Sequence, residues 1–157
     1  MSIEDRLADL GIDLPPVAKP VAAYVPAIQV GDQISTSGQL PLVSGSLPMT
    51  GLVGDQISQG DAAGQARVAA LNALAAAADV AGGVNNIRRV VRVVVYVAST
   101  ADFTAQPAVA NGASELFGEI FGDAGRHIRS AIGVASLPLG APVKVELTVQ
   151  VLSLIHI

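Results

Sequence analysis

Residues 143–151 read VKVELTVQV, an unbroken alternation of apolar and polar side chains. Successive side chains of a β-strand point to opposite faces of its sheet, so this period of two predicts a strand with one buried face. Residues 88–98, RRVVRVVVYVA, predict a second such strand. We expect the other face of the sheet to meet water or another subunit. The residues that we expect to lie buried beneath helices are Val91, Val93, Val95, Val145, Leu147 and Val149.

Two segments between the predicted strands have the apolar spacing of helices. The first follows Ser58, whose hydroxyl matches an N-terminal cap, and stops at Gly82. The second contains Pro107 in its first turn and ends at Gly122. A short helix is predicted over residues 3–10.

A hairpin with its turn at Gly31-Asp32 precedes the first long helix, and residues 128–135 form a further strand. The order β-β-α-β-α-β-β favours one α+β domain over residues 1–157, a mixed sheet with two helices packed on one face. Residues 1–19 are expected to be an N-terminal extension. Residues 152–157, LSLIHI, are either a strand extension or a non-native tail, since they match a reading frame through a common sequencing-adapter end.

The composition of the 157 residues excludes several classes of function. Charged residues are 14%, the net charge is −4 and aromatic residues are 3%, so neither nucleic acid nor an acidic membrane is an expected partner. Cysteine is absent and there are two histidines, so we expect no metal site.

No run of apolar residues is long enough to predict a membrane span, and the acidic N-terminus does not resemble a signal peptide. A cytoplasmic location is therefore expected. With 51% hydrophobic residues and few charges, the chain is expected to hide apolar surface between subunits.

Arg129 is the strongest candidate for binding chemistry. On its strand it shares a face with Ala131 and Gly133, which are too small to fill the space beside it. A guanidinium next to such a gap can bind a carboxylate through two parallel hydrogen bonds. The alternative is a surface arginine paired with a carboxylate of the protein itself.

Four segments together resemble the Rid family of reactive intermediate deaminases, the YjgF-like proteins formerly called L-PSP endoribonucleases. They are residues 20–41 (PVAAYVPAIQVGDQISTSGQLP), 88–98, 129–138 (RSAIGVASLP) and 143–151. The resemblance implies a chorismate-mutase-like fold, a homotrimer, and ligand clefts between subunits. It also implies hydrolysis of enamine and imine intermediates such as 2-aminoacrylate to 2-keto acids and ammonia, without a cofactor. The acidic N-terminal segment and the sequence GRHIRS (residues 125–130) resemble a subgroup of this family that has longer chains. The chemistry that the resemblance implies is RidA-like.

The resemblance also assigns roles to individual residues. It implies that Arg129 holds the substrate carboxylate and that Tyr24 lines the cleft, although the family's Gly-Pro-Tyr-Ser is Ala-Ala-Tyr-Val here. The substrate-binding set that it implies is Arg129, Tyr24, Ser37, Gly38, Gln39, Ala131 and Lys144.

Two positions depart from the family pattern. Ala131 replaces the usual cysteine, and Lys144 replaces the carboxylate that helps to position water. Glu146 lies on the same face of that strand and is a candidate substitute. His127 is a second acid/base candidate, with a solvated loop histidine as the alternative.

Three functions follow from these residues. The first is an imine deaminase in which Arg129, Tyr24, Glu146 and His127 are catalytic. The second is a non-catalytic trimeric module that binds small carboxylates, favoured by Ala131 and Lys144. The third, an RNA nuclease, is the weakest because the chain is acidic and lacks a histidine pair.

Overall fold

A computed structural model describes residues 1–17 and 23–152. The eight main elements follow the predicted order, with the N-terminal helix in front. They are α1 (Ile3–Asp9), β1 (Ala27–Val30), β2 (Gln33–Thr36), α2 (Gln59–Ala81), β3 (Ile87–Ala98), α3 (Gln106–Phe121), β4 (Ile128–Val134) and β5 (Val143–Val151).

The five strands form one mixed sheet in the order β1-β2-β5-β3-β4. All neighbours are antiparallel except β3 and β4, which are parallel and joined through α3. The predicted α+β class, with a mixed sheet and two long helices, is therefore confirmed. The short α1 adds a third helix.

Helices α2 and α3 pack against each other and cover one face of the sheet. Five of the six residues expected beneath them are at most 1% exposed: Val93, Val95, Val145, Leu147 and Val149. The face that they form is the helix face, and the other is the open face. The register of β3 and β5 places Glu146 opposite Val94 and Lys144 opposite Tyr96 on the open face.

The prediction for Val91 is wrong. In β3, Val90 pairs with Val149 while Arg92 pairs with Thr148, so one extra residue is accommodated between them. Such a β-bulge shifts the alternation of side chains by one position. Val90 consequently takes the core position, fully buried, and Val91 is only half-buried.

Small residues let the helices approach closely. Most of the buried positions of α2 are alanines. Gly112 of α3 faces the backbone of α2, because a Cβ placed there would lie 1.9 Å from the carbonyl oxygen of Ala63. The contact of α2 with α3 thus depends on the absence of a side chain at position 112.

The N-terminal helix is attached to the rest of the domain. Ser2 caps α1 with a complete capping box, and Leu7 is buried. The Arg6 Nε atom donates a hydrogen bond of 2.9 Å to the backbone oxygen of Glu119. In the described part of the predicted extension, residues 1–17, the chain therefore packs on the domain. Residues 18–22 and 153–157 lie outside the described residues. They include the end of the predicted N-terminal extension, the start of the segment that leads into the hairpin, and most of the C-terminal tail.

Candidate functional site at the edge of the sheet

Arg129 lies on β4, the edge strand next to β3. It is level with Val93, which points to the helix face, so the Arg129 side chain lies on that face beside α3. Its Nη1 atom donates to Asn111 Oδ1 at 2.7 Å and to Ser114 Oγ at 3.1 Å. Both partners come from α3, one turn apart. The guanidinium is thus held in place by neutral oxygen atoms.

The charge of Arg129 has no ionic partner within residues 1–17 and 23–152. In that range the ion pair that forms joins Arg67 and Glu119. The Nε and Nη2 atoms of Arg129 donate no hydrogen bond to the same residues. A positively charged group with free donors on an exposed edge is suited to binding an anionic ligand.

His127 extends this group of residues. Its Nδ1 atom lies 2.6 Å from the backbone oxygen of Gly125, and its Nε2 atom lies 2.9 Å from Ser114 Oγ. A carbonyl oxygen only accepts, so Nδ1 carries the proton. For a neutral imidazole, Nε2 then accepts from the Ser114 hydroxyl. The edge of the ring packs on Phe117, with the ring centroids 6.1 Å apart.

Hydrogen bonds link four side chains, which we call the edge cluster: Asn111, Ser114, His127 and Arg129. Arg129 donates to both Asn111 and Ser114, and His127 donates to the backbone. With a neutral imidazole, Ser114 donates to His127. The cluster borders an open pocket of about 590 Å³, whose wall includes the backbone of three glycines. They are Gly118, Gly122 and Gly125. A pocket lined by glycine, serine, histidine and arginine offers an anion both charge and hydrogen-bond donors.

The predicted residues of β5 lie elsewhere. Lys144 and Glu146 are on the open face, so the sheet separates them from Arg129 within one chain. The Tyr96 hydroxyl donates a hydrogen bond to the Glu146 carboxylate. This hydrogen bond raises the pKa of the Tyr96 phenol above its usual value, and partial burial adds to the effect. The Glu146 carboxylate is thus already engaged by a neighbouring strand.

The Ser-Gly-Gln segment lies next to Lys144. A Cβ at Gly38 would lie 2.0 Å from the Lys144 side chain, so the lysine passes directly over the glycine. The backbone of Gln39 pairs with Val145, and its Nε2 atom donates to Ser37 Oγ at 3.3 Å. Ser37, Gly38, Gln39 and Lys144 therefore form a second group of predicted residues, separate from the edge cluster.

The remaining two predicted residues, Ala131 and Tyr24, form no hydrogen bond with either group. Ala131 follows Arg129 on the helix face and packs partly against the core. Tyr24 is 57% exposed and makes no hydrogen bond to the described residues. Arg129 thus lies close to His127, and Lys144 lies close to the Ser-Gly-Gln segment. Within one chain, these two groups of residues are not close to each other.

Reasoning from the sequence missed Asn111 and Ser114. They are three residues apart on α3, beside the apolar face that contains Ala113 and Phe117. Polar residues at that spacing occur on most amphipathic helices, so they carry no motif. The signal that could have identified them is the parallel pairing of β3 with β4, which turns Arg129 toward α3.

The sequence model of one protein family matches residues 4–151. Its description is "YjgF/chorismate_mutase-like, putative endoribonuclease". The chain belongs to this family. The resemblance seen in the sequence is thereby confirmed at the level of the family, and the fold agrees with it.

Individual relatives cover nearly the whole chain. Protein TCP17 of Trypanosoma cruzi is 40% identical over 146 residues, which are 92% of this chain and 91% of that protein. The crystal structure of Atu1372, a protein of unknown function from Agrobacterium tumefaciens, is 41% identical, covers 95% and 92% of the two chains, and has a TM-score of 0.86. A "putative endoribonuclease" from Shewanella oneidensis is 32% identical, covers 96% and 100%, and has a TM-score of 0.91.

Among residues 1–17 and 23–152, no helix combines the length and hydropathy needed to cross a membrane. The same residues contain no group of three or more histidine, aspartate or glutamate side chains that could hold a metal ion.

Proposed function

We propose that the protein hydrolyses small enamine and imine acids of the 2-aminoacrylate type to 2-keto acids and ammonia. The observation that carries this proposal is the unpaired charge of Arg129 at the edge pocket. The substrates are small carboxylates, and a guanidinium with free Nε and Nη2 donors is suited to holding a carboxylate in a fixed plane. The membership of a longer subgroup of deaminases is part of the same proposal.

The surroundings of Arg129 support the binding of a small ligand. Ala131, next to it on the helix face, leaves space that a larger side chain would fill. Asn111 and Ser114 fix the Nη1 side of the guanidinium, so the opposite side faces the ligand with little loss of side-chain freedom.

The reaction needs only water. An enamine first tautomerises to its imine. Water then adds to the carbon of the C=N bond and one of its protons passes to nitrogen. The hydroxyl of the resulting carbinolamine gives its proton to the same nitrogen as the C=O bond forms and ammonia leaves. No electron is transferred, so the reaction needs no redox cofactor.

A homotrimer belongs to this proposal, with the cleft between subunits. The open face has a polar centre at Glu146 and Lys144, and its outer strands expose apolar side chains. On β1 they are Ile28 and Val30, and on β4 they are Ile128 and Ile132. Packing of further copies on this face would cover those side chains. A neighbouring subunit could then bring Tyr24, the Ser-Gly-Gln segment and Lys144 to the edge cluster.

The second candidate function is a trimeric module that binds small carboxylates without hydrolysing them. Lys144 stands where the deaminase pattern has a carboxylate, and Tyr96 engages Glu146. Both observations reduce the number of free groups that could activate water. The two candidates share Arg129 and differ only in turnover.

The test compares two arginines in the full chain. Arg129→Ala should abolish binding of a 2-keto acid such as pyruvate, measured by calorimetry, because it removes a charge-assisted pair without emptying the core. Arg129→Lys should restore binding poorly, since an ammonium lacks the planar fork. The matched control is Arg67→Ala, which removes an arginine already paired with Glu119.

Turnover is measured on 2-iminopropanoate generated in situ, and subunit number by light scattering. Faster formation of keto acid by the parent, lost in Arg129→Ala, supports the deaminase. Binding that depends on Arg129 without acceleration by the parent supports the binding module instead. Keto-acid binding that survives Arg129→Ala overturns both, and a monomeric mass overturns the trimer.

A further inference from the structure

We propose that Ser114 and His127 form the acid/base relay that activates water at the edge pocket, with Ser114 in contact with the attacking water. The proposal rests on the proposed imine hydrolysis and adds to it a catalytic serine. It replaces the carboxylate that the family pattern places at position 144.

The direction of the hydrogen bonds supports this role. A guanidinium can only donate, so Ser114 Oγ accepts from Arg129 at 3.1 Å. With a neutral imidazole, the Ser114 hydroxyl donates to His127 Nε2 at 2.9 Å. Nδ1 is committed to the Gly125 oxygen at 2.6 Å, which fixes the ring and its tautomer. The unprotonated Nε2 is therefore aimed at a hydroxyl, an arrangement in which a histidine serves as base.

The position of the relay follows from the chemistry of the substrate. In a 2-imino acid, the reacting carbon is bonded directly to the carboxylate carbon. Arg129, Ser114 and His127 all line the same pocket. A carboxylate that Arg129 holds in this pocket therefore brings its reacting carbon into the space that Ser114 and His127 also line.

The proton transfers balance. As a water molecule attacks the C=N carbon, it gives a proton to Ser114 Oγ, and Ser114 passes its own proton to His127 Nε2. The same proton then returns through Ser114 to the nitrogen and gives a carbinolamine with an NH2 group. In a second round the carbinolamine hydroxyl gives its proton to the same nitrogen through Ser114 and His127, and ammonia leaves as the C=O bond forms. Serine and histidine end in their starting states, and no other reactant is needed.

The obvious rival for this role is Glu146. It lies on the open face, while the edge cluster lies on the helix face, and its carboxylate accepts the Tyr96 hydroxyl. It can reach a ligand at Arg129 only from another subunit. Ser114 and His127 need no second chain to reach it.

The experiment separates binding from turnover in the full chain. Ser114→Ala and His127→Gln should lower kcat for 2-iminopropanoate by about 10²- to 10⁴-fold. The Kd for pyruvate should rise far less than kcat falls, since Asn111 still holds Arg129 and the guanidinium still binds the carboxylate. Ser114→Thr, which keeps the hydroxyl, should recover most of the rate. The matched control is Ser130→Ala, the serine next to Arg129 that points to the open face.

Each outcome has one interpretation. If the parent does not accelerate hydrolysis, the proposed function fails and the relay fails with it. If the parent is active and both variants keep its kcat, the relay alone is overturned. Nitrogen NMR of the parent with His156 replaced by Gln provides a readout that does not depend on variants folding, because it leaves one imidazole. It should show a proton on Nδ1 of neutral His127, and a proton on Nε2 would also overturn the relay.

Discussion

The helix face and the open face of the sheet are built from alternate residues of the same strands, yet they differ in almost every property. On β5, Val145 and Val149 are fully buried under the helices, whereas Lys144 and Glu146, the residues on either side of Val145, are half-buried and polar. The helix face is close-packed. The open face combines a polar centre with exposed isoleucines at its outer strands. Because successive side chains point to opposite faces, one set of alternate residues in each strand stabilises the fold and the other set remains available for other contacts.

The candidate site belongs to neither face alone. The edge cluster lies at the margin of the helix face, where β4 is the last strand among the described residues and α3 leaves Arg129 exposed. An interior position would bury the guanidinium at a high cost in desolvation. An edge position keeps its charge in contact with water and ligand, while α3 still fixes its orientation.

The largest expected effect tests whether the helix face stabilises the fold. Leu147→Ala should lower the free energy of unfolding by about 2–5 kcal/mol, because it leaves a cavity in a fully packed core. Its neighbour Thr148 lies on the open face, where its hydroxyl bonds Ser35 at 3.0 Å. Thr148→Ala should cost about 1 kcal/mol. Denaturant unfolding at one fixed protein concentration measures both.

A similar loss for the two variants would contradict this difference between the faces. A Leu147→Ala variant that unfolds at the denaturant midpoint of the parent would do the same.

A second effect, somewhat smaller, tests the layer of helices above the sheet. Gly112→Ala places a methyl group against the backbone of α2, so the helices must move apart. We expect a loss of about 1–3 kcal/mol in the free energy of unfolding. The matched control is Gly64→Ala on α2, where a Cβ meets nothing within 4 Å.

Alanine favours helix over glycine by about 1 kcal/mol, so Gly64→Ala should stabilise the protein. Thermal unfolding of both variants provides the measurement. A stabilised Gly112→Ala variant would show that the two helices are not in close contact at this point.

The sequence predicts the architecture well because the fold depends on periodicity. The alternation in residues 143–151 and the caps at Ser58 and Gly82 each act locally, and the structure places those elements where they predict. The exception is Val91, because a bulge depends on how two strands pair, and a single strand's pattern does not contain that information.

The candidate site is less predictable. The sequence predicts Arg129 from the small residues on its face of the strand, and His127 from its closeness to Arg129 in the chain. Ser114, which links them, comes from another element and was missed. Glu146 was grouped with Arg129 through the family pattern, although the two side chains leave opposite faces of the sheet. Which face a residue uses depends on the strand order, and the alternation alone does not give that order.

The smallest expected effect concerns the pKa of a single phenol on the open face. The hydrogen bond to Glu146 and partial burial raise the pKa of Tyr96 above 10.0, and the Glu146 charge adds to this, while Arg92 opposes it. Tyr96 and Tyr24 are the two tyrosines, so Tyr24→Phe leaves one phenol to titrate by ultraviolet absorbance. In that background the midpoint should lie above 10.0. Glu146→Gln should lower it, and Arg92→Gln should raise it further.

The direction of the effect on stability follows from the same shift. The folded state favours the neutral phenol, so the stabilisation is fully present below the unfolded pKa of about 10 and is lost as the pH rises through the raised folded pKa. Tyr96→Phe should remove this alkaline dependence, whereas Tyr24→Phe should keep it. A midpoint in Tyr24→Phe that does not respond to Glu146→Gln would mean that Glu146 is not held by Tyr96. The carboxylate would then be free for another partner, and the open face, rather than the edge, would regain a candidate group for water activation.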